Sequence, residues 1–145
     1  MSARRSGDEG TAVVEFVLLA VVLLVPFLYA MLCVFEVQRA AYALTAASRE
    51  AGRAMVTAPD GDSAHQRARG AADLVLEDHG VRSATSVDVD CASDPCLTPG
   101  SRVTVAMATS VRLPFLPHWR GGAPATIRVT TSHSEVVDAW REGRP

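Results

Sequence analysis

Hydrophobic positions follow three rhythms along this chain, and each predicts a different element. Residues 16–35 read FVLLAVVLLVPFLYAMLCVF, 20 positions without a charge. A helix of that length spans the roughly 30 Å hydrocarbon core of a bilayer at about 1.5 Å per residue. Fourteen of the 20 are Leu, Val or Phe, which gives an insertion free energy on the order of −4 to −8 kcal/mol. Pro26 removes one backbone donor, but a membrane helix takes this up as a kink rather than a break.

Past the apolar run, Val37, Ala41, Leu44, Ser48, Ala51 and Met55 recur in alternating steps of four and three. That spacing lines one helical face, so the first helix is expected to continue to about Val56. Its small side chains permit close approach of the chain's own domain or of another subunit. Pro59 and Gly61 then interrupt the helix. Ser63 followed by Gln66 fits a capping box for a second helix, ending near His79 with Gly80 as its stop. Ala64, Ala68, Ala71 and Val75 form its apolar face, and Gly70 lowers its intrinsic stability by roughly 1 kcal/mol.

Beyond Gly80 the period becomes two. Val87, Val89 and Cys91 alternate with Asp88 and Asp90, and Val103, Val105, Met107, Thr109, Val111 and Leu113 alternate with small or polar residues. Ala125, Ile127 and Val129 alternate with Thr126, Arg128 and Thr130. Three strands with one buried face each are predicted. Pro99-Gly100 joins the first two as an antiparallel hairpin, and the third follows a connection over residues 114–124. Three short strands cannot cover their own apolar face, so they are expected to pack on the extension of the first helix. The predicted class is α+β: a long N-terminal transmembrane helix extended into a small domain with a second helix and a three-stranded antiparallel sheet. Strand order stays open. From Glu135 onward the chain reads as a frayed helix or tail anchored by Trp140.

Composition narrows the function classes. A chain of 145 residues leaves room for one small domain once the membrane segment is subtracted. Net charge is −2 with both signs interspersed, so no basic stripe exists to neutralise a run of phosphates, and nucleic acid is not expected as a partner. Cys33 lies in the apolar run, whereas Cys91 and Cys96 close a polar hexapeptide, Cys91-Ala92-Ser93-Asp94-Pro95-Cys96. Outside the cytoplasm such a pair is expected to form a disulfide, with two independent thiols as the alternative. Zinc would need further ligands nearby; His65, His79, His118 and His133 are scattered, and neither a metal nor another cofactor is expected.

The N-terminal region has several processing readings. Arg4 and Arg5 favour a cytoplasmic N-terminus, with Asp8 and Glu9 diluting the bias. A secretory signal has an apolar core of only about 7–15 residues, although Ala41-Tyr42-Ala43 offers a small-x-small site. Leu32 before Cys33 argues against a lipoprotein. Gly10-Thr11-Ala12-Val13-Val14-Glu15-Phe16 places a Gly before the apolar run and a lone Glu five positions after it. This resembles the prepilin-peptidase motif of type IV pilins, which implies a cut between Gly10 and Thr11. A carboxylate at the edge of an apolar helix is penalised and needs a partner or the interface. The resemblance implies that Glu15 pairs with the newly exposed amine, its own or a neighbour's; a Glu that merely reaches the boundary is the plainer reading.

Ala46-Ala47-Ser48-Arg49-Glu50-Ala51-Gly52-Arg53-Ala54 is similar to the Ala-rich Arg-Glu-Gly-Arg stretch that follows the membrane helix in TadE-like proteins of tight-adherence (Tad) pilus systems. Here Ala51 stands between Glu50 and Gly52. The two motifs cover about the first 56 residues. The resemblance implies a pilin-like fold, with residues 1–10 as a cytoplasmic leader, 11–35 as the transmembrane helix and 36–145 as an extracytoplasmic domain. It implies a minor pilin or pseudopilin that builds or primes a Tad-type pilus in the cell membrane. Its implied partners are the membrane, prepilin peptidase, other pilin-like subunits and the Tad secretion machinery, with no small-molecule substrate. The alternative is a signal-anchored extracytoplasmic binding protein that never enters a filament.

Catalytic signatures are weak. Asp88, Asp90 and Asp94 lack the glycine and terminal Glu of an EF-hand loop and read as solvated strand and turn acids. Ser, His and Asp occur without a nucleophile elbow, and no enzyme is expected. In the proline-bounded connection, Phe115, Leu116 and Trp119 read either as cover for the core or as a partner contact.

Overall fold

The computed structural model describes residues 9–113 and 125–140. A backbone in lipid has to satisfy its own amides, which only a helix does within one segment. Helix α1 (Glu9–Val56) accordingly runs through Pro26 without ending. The chain divides into two compact units, Met1–Phe35 and Glu36–Pro145. In the first, every residue from 11 to 28 is exposed. A helix apolar on all sides and long enough to cross a bilayer fits a single membrane pass.

In the second unit the remainder of α1 buries Ala40, Ala43, Leu44, Ala47, Ser48, Ala51 and Met55. The expected stripe was narrower: Val37 and Ala41 are half-buried at its margin, and Ala40, Ala43 and Ala47 join its centre. A helix that meets both a sheet and a second helix in one core needs a wider apolar face than a single contact line. The one buried hydroxyl on this face is satisfied locally, since Ser48 Oγ donates to the Thr45 carbonyl at 3.1 Å.

Helix α2 (Gly61–Asp78) starts three residues earlier than expected, because Asp60 and not Ser63 is the cap. Its backbone is extended, at φ −146°, and its carboxylate accepts the Ser63 N–H at 2.7 Å. That bond holds the Asp60 carboxyl below the usual carboxylate range. The C-terminus closes as a Schellman turn: Val81 N–H donates to Leu76 O and Gly80 N–H to Glu77 O, both at 2.9 Å, with Gly80 at φ +69°. Ala64, Ala68, Ala72 and Leu76 are buried. Ala71 and Val75, expected on this face, are half-buried, since a strict four-residue ladder carries the larger Leu76 into the core.

The sheet consists of β1 (Thr85–Cys91), β2 (Arg102–Arg112) and β3 (Thr126–Val136), ordered β1-β2-β3 and antiparallel throughout. Central β2 buries Val103, Val105, Met107, Thr109 and Val111, the alternate positions that a pleated strand directs to one side. Val103, Val105 and Met107 join Ala43, Leu44, Ala47, Ala51 and Met55 of α1 and the buried face of α2 in one cluster. The α+β architecture is the one the sequence predicts.

Strand β3 departs from expectation. It continues to Val136, through the residues read as the start of a C-terminal helix or tail, because its 11 residues match the 11 of β2. Its inward positions are Val129, Thr131, His133 and Glu135, and Ile127 is exposed. Val137, not Trp140, anchors the end. Val137 is fully buried and exchanges backbone hydrogen bonds with Gly100 and Ser101 at 3.0 and 2.9 Å, whereas Trp140 is 91% exposed.

Gly70 gives the fold a simple test. It sits inside α2, exposed, and a Cβ there would meet nothing within 4 Å. Gly70→Ala should therefore stabilise the domain by about 0.5–1 kcal/mol through lower unfolded-state entropy. Urea unfolding of the detergent-solubilised chain should show a higher midpoint at unchanged slope; a lower midpoint would contradict the placement of Gly70.

Candidate functional site

The residues singled out by sequence fall into three separate places. Gly10 and Thr11 occupy the first turn of α1, and Glu15 follows Thr11 by four residues. Four residues advance about 6 Å along a helix and return to the same face. Thr11 and Glu15 are both exposed. Among the described residues no cation stands within ion-pair distance of the Glu15 carboxylate. What the arrangement offers is a carboxylate one turn from the Thr11 backbone nitrogen, on an otherwise apolar rod.

The Arg49-Glu50-Ala51-Gly52-Arg53 run divides by helical face. Arg49, Glu50 and Arg53 are exposed, while Ala51 and Gly52 are buried. Gly52 lies where β3 meets α1: a Cβ there would stand 3.1 Å from Glu135 Cγ and 3.5 Å from His133 Cδ2. Those two side chains share one face of β3, two residues apart, and His133 Nε2 lies 3.0 Å from Glu135 Oε1. Both are partly buried, with side-chain exposures of 30% and 39%. Sequence reading missed this pair. Its signal was the period of two, which continues past Val129 in polar residues where hydropathy does not register it.

The third place is the hairpin end. Cys91, the last residue of β1, stands opposite Val103 and is bonded to Cys96 as a disulfide, with Cα atoms 5.2 Å apart. Both cysteines pack half-buried against the core. Ser101 Oγ donates to Cys96 O at 3.2 Å, and Ser101 O accepts the Val137 N–H. The bridge thus fastens the loop to which Val137, just past β3, is hydrogen-bonded. Cys33 is a free thiol. Among the described residues no group of three or more His, Cys, Asp or Glu could hold a metal ion. Asp88 and Asp90 are exposed on the outer face of β1. Phe115, Leu116 and Trp119 lie outside the described residues.

The Gly52 contact yields a prediction. Gly52→Val forces a branched side chain against Glu135 and should cost about 1–3 kcal/mol, the range for overpacking. Adding Glu135→Ala should recover part of that loss, read as a coupling in a double-mutant cycle of unfolding free energies. Strict additivity of the two changes would contradict the contact.

No family model, no curated protein and no solved structure matches this chain.

Proposed function

We propose that the chain is a TadE-like minor pilin or pseudopilin: a structural or assembly subunit of a Tad-type pilus, matured by prepilin peptidase between Gly10 and Thr11. The observation that carries the reading is helix α1. It has Gly10 and Glu15 ahead of the apolar run at one end, and at the other the Ala-rich Arg-Glu-Ala-Gly-Arg run, whose Ala51 and Gly52 are buried against the domain while its charged residues are exposed. That order is the one a pilin-like subunit needs, a leader, an extractable apolar rod and a small folded head. Arg4 and Arg5 favour the cytoplasmic side for the N-terminus, which leaves the domain outside. Oxidised Cys91 and Cys96 are in keeping with that side.

The work of such a subunit is packing rather than catalysis. Cleavage after Gly10 creates an amine at Thr11, one helical turn before Glu15 on the same face. In an apolar surround the lone carboxylate costs up to about 3 kcal/mol. Pairing with an amine, from its own chain or from the neighbour it joins, offsets that cost and fixes the register of one rod against the next. The partners are prepilin peptidase, other pilin-like subunits and the Tad secretion machinery.

Two substitutions separate maturation from assembly. Gly10→Leu should leave the leader attached while membrane insertion continues. Glu15→Val removes the penalty and should insert at least as well, yet co-purify with the major pilin at least about tenfold less, the scale of one charged hydrogen bond. Equal co-purification at equal membrane level would reduce Glu15 to a boundary residue. Normal processing of the Gly10→Leu chain would overturn the peptidase assignment and favour a plain signal-anchored binding protein.

A further inference from the structure

Three arginines from three segments close on one cavity in the second unit. Arg39 comes from α1, Arg82 from the turn between α2 and β1, and Arg112 from the last position of β2. With Glu36, Gly80 and Ser83 they line a space of about 120 Å³. Arg39 Nη2 lies 3.1 Å from Glu36 Oε2, an exposed pair one helical turn apart. Among the described residues neither Arg82 nor Arg112 has a carboxylate within ion-pair distance. Three exposed arginines and one glutamate therefore line the cavity, a formal excess of two positive charges.

The backbone leaves this space open. Gly80, at φ +69°, carries no side chain, and a Cβ there would come within 3.9 Å of Arg39 Nη1. Gathering like charges is unfavourable unless an anion answers them. The planar fork of a guanidinium suits the oxygens of a phosphate, which it binds through paired N–H donors. A cavity of this volume also exceeds what one water molecule needs.

Position identifies the source of the phosphate. Arg39 follows Phe35, the last residue of the apolar run, by four residues, or about 6 Å along the helix. The headgroup layer on each side of a bilayer is about 5–7 Å thick. Arg39 thus enters the cavity at headgroup depth. We propose that the Arg39, Arg82 and Arg112 cavity binds the phosphate of an anionic phospholipid in the leaflet where α1 leaves the bilayer. The lipid neutralises the cluster. This depends on α1 spanning a membrane and not on entry into a pilus.

The test uses the full chain in mild detergent, with bound lipid counted by native mass spectrometry. Phosphatidylglycerol and phosphatidylcholine of equal chain length are compared, and inorganic phosphate forms a third arm. The wild-type chain should retain phosphatidylglycerol over phosphatidylcholine. Arg82→Gln with Arg112→Gln should weaken that retention about 25-fold, at about fivefold per arginine. Arg69→Gln with Arg128→Gln removes the same charge elsewhere and should leave it unchanged. Circular dichroism checks that each variant is folded, and if the double variant is not, Arg82→Gln alone should show the fivefold step. Equal loss in both double variants, or equal retention of the two lipids, would overturn the proposal. Inorganic phosphate binding the chain and displacing phosphatidylglycerol at equal concentration would overturn the lipid as the source.

Discussion

A helix lined with Ala, Ser and Gly can lie closer under a sheet than one lined with Leu, and the second unit depends on that approach. Of the α1 residues buried there, only Leu44 and Met55 are large. Gly52 lets the side chains of His133 and Glu135 come within contact distance of the helix backbone. Bulk in the core is supplied from the other side, by Val103, Val105, Met107 and Val111 of β2. Helix α2 is just as lean, with three alanines and Leu76 facing in. Such a core has little slack, since added volume on α1 has to displace a strand that is itself tied into the sheet.

The same helix meets opposite demands along its length. From Phe16 to Phe35 large apolar side chains point outward on every side, as lipid requires. From Ala40 to Met55 small ones are gathered on one side and charges such as Arg49, Glu50 and Arg53 on the other. The change falls at Glu36, and within a turn of it stand Arg39 and the arginine cavity. Three features therefore share one continuous element: a carboxylate near its start, an apolar rod, and a small-residue seat for the sheet. A filament subunit and a membrane-surface anchor both draw on that layout.

Much of this was legible because the relevant residues are apolar at every position that matters. The run over residues 16–35 reads as a helix and the alternation from Val103 to Val111 as a strand, and the structure has both elements. The second half of β3 was hidden because Thr131, His133 and Glu135 occupy half-buried positions on a sheet edge, where polar side chains reach water. Only the pairing with β2 reveals that they face inward. The start of α2 was misread because Asp60 and Ser63 are both good caps, and the extended backbone at Asp60 decides between them. Gly10 and Glu15 stand out through the resemblance of residues 10–16 to the prepilin-peptidase motif, and both lie at the start of α1. The meaning of Gly52 needed residues about 80 positions away that only the sheet register brings near.

A pilin-like role depends on where the mature chain begins, and the intact mass of the protein purified from its own membranes measures that directly. A pilin-like subunit should have lost residues 1–10 and start at Thr11, with the Cys91–Cys96 bridge oxidised. A chain that keeps residues 1–10, or one that starts near Met31 or Leu44 after removal of a secretory signal, would contradict it.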